Sequence, residues 1–136
     1  MIQIIAGKKG SGKTKRLIDM TNQIAREGAH DVIFLDDDNR YMFDIDHQAR
    51  FINITEYHVG NSDMFLGFLY GMLSQNFDIG SIFIDAFLKV SRKDAADCEE
   101  ILKAISELAE KNNVNFVLSI SVDPEELPEF AKPWLI

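Results

Sequence analysis

Strand-length apolar runs that alternate with helical patterns predict an α/β protein: a three-layer fold with about five mostly parallel strands in one sheet and helices on both faces. Three observations carry this expectation. The runs are apolar at successive positions rather than at every second one, which suits strands covered on both faces. Helical patterns separate most of them, as right-handed crossovers between parallel strands require. Finally, 136 residues that are 46% apolar and 26% charged have the size and composition of one ordinary globular domain.

The elements follow in order. Ile2-Gln3-Ile4-Ile5-Ala6 reads as the first strand, and Lys13 to Glu27 as a helix with Leu17, Met20, Ile24 and Ala25 on one side, stopped by Gly28. Val32-Ile33-Phe34-Leu35 is a second strand that runs into Asp36-Asp37-Asp38, and Phe51-Ile52-Asn53-Ile54 is a short third one. The stretch Asn39 to Arg50 between them is expected to be irregular. Asp63 to Ser74 reads as an apolar helix, Ser81-Ile82-Phe83-Ile84 as the fourth strand, and Ala95 to Lys111 as a helix with Ile101, Leu102, Ile105 and Leu108 inward. Asn115 to Ile120 closes the series. Gly67 and Gly71, four apart on the apolar helix, are expected to let it pack closely on the sheet, and the Phe- and Met-rich positions to be core. Residues 1–136 thus read as a single domain whose segment 123–136, interrupted by three prolines, is a short irregular tail. Its apolar residues Phe130, Trp134, Leu135 and Ile136 need cover, either from their own core or from an oligomer or protein partner.

Composition narrows the function. No apolar run is long enough to span a bilayer, and the apolar start is followed at once by a glycine-lysine loop instead of a signal-peptide core, so a cytoplasmic protein without membrane contact is expected. The single cysteine, Cys98, excludes an intrachain disulfide and a multi-cysteine zinc ribbon, and reads as an inert, partly buried thiol. His30, His47 and His58 have no metal-ligand spacing. Net charge is −8, yet residues 1–30 carry +4 and the remainder −12. That distribution disfavours nucleic acid, whose affinity comes from neutralising phosphates over a broad surface, and suits a small local anion site.

Gly7-Lys8-Lys9-Gly10-Ser11-Gly12-Lys13-Thr14 fits G-x-x-x-x-G-K-[ST] and lies between a strand and a helix, where the mechanism of that motif requires it. Glycines allow the backbone to turn with its N–H groups inward, and that nest joins the positive helix end to hold phosphates. Lys13 would meet the β- and γ-phosphates as a point charge, and the Thr14 hydroxyl would ligate a Mg²⁺ bridging them. A second metal anchor is expected at the end of a buried strand. Ile82-Phe83-Ile84-Asp85 and Val32-Ile33-Phe34-Leu35-Asp36 both have that form, and Asp85 is preferred because Asp36 to Asp38 follow the first helix, where related folds place substrate or metal-shell groups.

A group that activates water often sits beside the metal-anchoring Asp, and here that neighbour is Ala86. Asp36, Asp38 and Glu56 are the alternative carboxylates, and Ser119 or Ser121 at the end of the last strand could hold a water. Arg40 or Arg92 could stabilise transition-state charge, although surface ion pairing is the simpler reading of both.

These motifs resemble the phosphate-loop NTPase superfamily, and within it the RecA-like core of the type II thymidine kinases, over about residues 1–123. Gly7 to Thr14 is similar to the family's first loop, Asp38-Asn39-Arg40-Tyr41 to its Asp-x-Arg-Tyr segment, and Phe83-Ile84-Asp85-Ala86 to its Phe-Ile-Asp-Glu strand end. Ala86 departs at the residue the family uses as base, and the family's zinc-ribbon cysteines and nucleoside-covering lasso have no counterpart. The whole chain is more similar to small bacterial ATP-binding proteins that keep this core alone. The resemblance implies binding of ATP, or another nucleoside triphosphate, with Mg²⁺, and slow or partner-dependent hydrolysis. The alternatives are a small-molecule kinase, with Asp38 and Arg40 lining an acceptor pocket and Asn39 to Arg50 as its lid, and a non-enzymatic module switched by nucleotide. Loss of the catalytic Glu and of the lasso speaks against thymidine phosphorylation.

Overall fold

Successive residues of a strand face opposite sides of a sheet, so strands apolar at every position must be covered twice. The computed structural model, which describes residues 1–136, resolves this demand as expected. The strands are β1 (Ile2–Ala6), β2 (Asp31–Asp36), β3 (Ala49–Asn53), β4 (Ile79–Ile84) and β5 (Asn115–Ile120). They form one parallel sheet in the order β1-β5-β4-β2-β3. Helix α1 (Lys13–Glu27) covers one face, where Leu17, Ile18 and Ala25 pack on Ile5, Phe34, Phe83 and Val117. Helices α2 (Ser62–Gln75), α3 (Phe87–Ser91) and α4 (Glu99–Asn112) cover the other, over Ile4, Leu35, Ile84 and Leu118. The fold is three-layer α/β.

Several expectations need correction. The third strand begins at Ala49 and ends at Asn53, because Ile54 enters a 3₁₀ turn in which the Thr55 amide donates to the Asn53 side chain. The helix expected from Ala95 starts at Glu99: Asp94 and Asp97 cap each other's backbone and close a separate turn at Ala95–Asp97. Helix α3 was not foreseen, since five residues carry too little periodicity to be seen. Gly67 and Gly71 do not face the sheet. The buried stripe of α2 is Phe65, Leu69 and Leu73, and the glycines fall on its solvent side, where an added Cβ would meet nothing. Aromatic and sulfur side chains are not uniformly core either, as Phe43 and Phe77 are each 92% exposed. Cys98 is fully buried, and that burial raises its thiol pKa.

Phe130, Trp134 and Leu135 of the tail pack against the chain's own core, while the Ile136 side chain stays exposed. Leu127 and Ala131 enter the core of the α2–α4 face, and Leu135 forms a parallel bridge with Ile4 on the free edge of β1. The Ile136 amide donates to the Ile4 carbonyl at 3.0 Å, so the edge strand's ladder is occupied. No helix is long and apolar enough to cross a membrane.

Candidate functional site

In a parallel sheet all carboxyl ends reach the same edge, and crevices form there where the strand order reverses. The pleat then decides which side chains meet. Ile5, Phe34, Phe83 and Val117 point toward α1, so the residues two further along each strand, Gly7, Asp36, Asp85 and Ser119, are directed to the same face. This places two carboxyls and a hydroxyl beneath the amino end of α1.

The loop from Gly7 to Gly12 supplies that end. Gly10 and Gly12 adopt φ of 85° and 87°, a left-handed conformation that a side chain would strain. At Gly7 the constraint is space, because a Cβ would collide with the Ser11 hydroxyl and lie 3.1 Å from the Ser11 Cβ. Gly12 caps α1 without any side-chain bond, and the first intrahelical bond runs from the Arg16 amide to the Gly12 carbonyl. The amides of the first turn, Lys13 to Lys15, therefore have no side-chain acceptor, and that turn contains no acidic residue of its own to offset the positive end of the helix dipole. Lys13 folds back over the loop, with Nζ donating to the Lys8 carbonyl at 3.1 Å. Burial lowers its pKa, and the negative charge of Asp85 opposes that shift.

Asp85 is the hub. Thr14 Oγ1 donates toward both its carboxylate oxygens, at 3.2 Å and 3.0 Å, and Ser119 Oγ donates to Oδ1 at 2.5 Å. The Ser119 oxygen in turn accepts from the Ala86 amide at 2.9 Å. Strand order explains the contact, since β5 lies between β1 and β4 and carries Ser119 into the space separating the loop from Asp85.

Asp36 stands beside this network. Leu35 pairs with Ile84, so Asp36 and Asp85 are lateral neighbours on adjacent strands. Its carboxyl is only 2% exposed, Oδ1 accepts from the Asp37 amide at 2.8 Å, and Oδ2 has no partner. Burial pushes its pKa up to about 8 against the Asp37 amide bond, and the charge of Asp85 adds to the rise. Asp36, Asp37 and Asp38 can bring one carboxylate oxygen each within 4.8 Å of the others.

These groups line one cleft of about 920 Å³. Lys9, Gly10, Gly12, Lys13 and Thr14 form one wall, and Asp36, Asp85, Ser119 and Ser121 the floor. Asp38 and Arg40 reach its outer rim, where Asp38 Oδ1 accepts from the Arg40 amide and the guanidinium lies 5.9 Å from the Tyr41 ring. Gly7, Lys8 and Ser11 shape the loop without lining the cleft. Glu56 is outside it, exposed and bonded to Asn39, and Arg92 lines a neighbouring hollow instead. Neither Arg40 nor Arg92 forms an ion pair, against the expectation for both. Two contributors had no signal in the sequence: the Ala86 amide, which positions Ser119, and Lys89, which α3 brings to the cleft.

The segment Asn39 to Arg50 is anchored. Asn22 donates to the Asp44 carbonyl and accepts from the Asp46 amide, Arg26 pairs with Asp46 at 2.9 Å, and Ile45 is buried against α1. All four ties fall on Asp44, Ile45 and Asp46, which fix the middle of the stretch to α1, while Phe43 beside them is exposed.

No family model matches the chain, and no curated protein matches it. The parallel five-stranded α/β fold, with its glycine-lysine loop at the sheet's carboxyl edge, is thus read on its own geometry.

Proposed function

We propose that the chain is a Mg²⁺-dependent nucleoside triphosphate binding protein, with ATP as the leading nucleotide, and a phosphate-loop NTPase in kind. The single observation that carries this reading is the meeting of Lys13, Thr14 and Asp85 at an uncapped helix start, through a hydroxyl–carboxylate contact of 3.0 Å between residues 71 apart in sequence. The donor set fits the ligand: backbone amides and an ammonium for phosphate oxygens, and a hydroxyl with a carboxylate for a hard cation that prefers oxygen. The unpartnered Oδ2 of Asp36 adds a further unsatisfied acceptor where positive charge would be favourable. Thr14 and Asp85 would hold Mg²⁺, which when bound neutralises polyphosphate charge and fixes its orientation.

The protein's own residues then act by positioning. Lys13 exchanges its bond to the Lys8 carbonyl for phosphate oxygens, and Ser119 keeps Asp85 in place through the Ala86 amide. The residue directly after Asp85 is Ala86 and not a carboxylate, so water lacks the neighbouring base and hydrolysis is slow or waits on a partner. The ties of Asp44 and Asp46 to α1, in the middle of the one segment long enough to serve as a cover, favour this over a kinase reading, which needs a cover that moves.

The test is a thermal-shift panel of ATP, GTP and ADP with and without Mg²⁺, followed by phosphate release. At a nucleotide concentration 100 times Kd, linkage adds about 2.7 kcal/mol, or roughly 9 °C for a chain of this size. A Mg²⁺-dependent rise with little turnover supports the proposal, and no rise with any nucleotide overturns it.

A further inference from the structure

We propose that a second hollow, on the α2–α4 side of the same sheet edge, binds a small organic anion with an apolar body. This site does not depend on the nucleotide reading. Its volume of about 590 Å³ falls in the range of small-molecule sites. Ile54, Val59, Leu88 and Val122 give it an apolar floor, and Lys89, Arg92 and Lys93 bring three cations to its rim.

The charges are the telling part. In a chain of net charge −8, none of these three side chains forms an ion pair or a hydrogen bond within the protein. Of the two acids lining the hollow, Asp94 caps its own turn, and Asp37 lies, with Leu88 and Lys89, on the wall shared with the glycine-loop cleft. Three cations against these two acids leave the lining with a small positive excess over an apolar base. Oxyanions are what guanidinium and ammonium groups recognise best.

The backbone points the same way. Helix α3 is bracketed by Ala86 and Arg92, both with left-handed φ, of 50° and 60°. At Arg92 the amide caps the Leu88 and Lys89 carbonyls, a place where glycine is the unstrained choice. This turn leaves Arg92 and Lys93, the residues just past α3, among those lining the hollow.

Phenyl phosphate, benzoate and uncharged phenol, titrated into the ¹⁵N-labelled full chain and followed by amide shifts, test the proposal. In both the wild type and Lys13→Ala, a charged probe should shift Thr55, Val59 and residues 89–93, and bind at least tenfold tighter than phenol. Binding of phenyl phosphate alone identifies a phosphate monoester as the ligand class, and of benzoate alone a carboxylate. An Arg92→Gly/Lys93→Ser variant, which keeps the left-handed turn, should weaken the charged probe at least tenfold and leave phenol unchanged. Shifts that vanish in Lys13→Ala, equal affinity for phenol, no shifts at all, or undiminished binding by the double variant each overturn it.

Discussion

Thr14 and Asp85 are joined by a hydroxyl–carboxylate contact across the sheet edge, with Thr14 Oγ1 at 3.0 Å and 3.2 Å from the two oxygens of Asp85. One residue lies in the first turn of α1 and the other directly follows β4, so the contact exists only because the parallel sheet brings both to one edge. If the pair holds Mg²⁺, removing the charge of Asp85 should remove the metal's effect without unfolding the chain. Asp85→Asn is expected to raise the Kd for Mg·ATP at least tenfold, about 1.4 kcal/mol, toward the metal-free value. Calorimetric titration with and without Mg²⁺ measures it, and an unchanged response to metal takes Asp85 out of the site.

Lys13 carries a cost in the absence of ligand. It is 8% exposed, and burial disfavours its charged form. Lys13→Met keeps the aliphatic stem and drops the ammonium, so it should melt no lower than the wild type while losing the nucleotide-induced rise of roughly 9 °C. A retained rise in that variant would show that nucleotide is held elsewhere.

How much of this was legible in the chain depends on which interactions are local. Helix α1 was readable to the residue, because Gly12 and Gly28 punctuate it and Leu17 and Ala25 repeat at helical spacing. The convergence of Asp36, Asp85 and Ser119 was half legible. Each ends an apolar run, and the two-residue pleat puts all three on one face once the strands are parallel. Strand order is not written in local pattern, so the seating of Ser119 between the loop and Asp85 could not be read. Helix α3 hides for a related reason: Phe87–Ser91 is one turn and a half, held by Phe87 and Val90 packing inward and not by periodicity. The docking of Leu135 on Ile4 joins chain segments about as far apart as the sequence allows, and nothing local encodes it.

Asp36 makes stability depend on pH. Its folded pKa of about 8 lies above the ordinary carboxylate value near 3.9, so between those limits the folded chain keeps a proton the unfolded chain has released. The sign follows: the Asp36 contribution to stability is fully present below about pH 4 and is lost as pH rises toward 8. Asp36→Asn does not titrate, so without divalent cations its melting temperature should pull ahead of the wild type's across that window. The gap is expected to widen by up to about 1.4 kcal/mol for each pH unit. Melting curves of the two proteins that stay parallel from pH 4 to 9 would contradict a buried protonated acid.

Leu127 tests whether the tail is structural. It is 3% exposed, sits in the core of the α2–α4 face and is not among the residues lining the glycine-loop cleft. Leu127→Ala should cost about 2–4 kcal/mol of stability and leave nucleotide affinity unchanged. Chemical denaturation and titration on the same sample separate the two effects. A loss of affinity with intact stability would move the tail's role from packing to the site.

Gly7 offers the sharpest test of loop shape, because its constraint is steric and has one named partner. A Cβ there would overlap the Ser11 hydroxyl and press on the Ser11 Cβ at 3.1 Å. The Ser11 hydroxyl can rotate away, but its Cβ, held between two left-handed glycines, moves only with the turn that aims the loop's amides. Gly7→Ala should therefore weaken nucleotide binding at least tenfold while the sheet, which Gly7 only follows, stays folded. Adding Ser11→Gly removes both clashing atoms and should recover most of the lost affinity. That recovery is a coupling between two substitutions, measurable as a double-mutant cycle of about 1 kcal/mol or more. If the second substitution restores nothing, the effect of the first lies in the backbone of Gly7 itself and not in its contact with Ser11.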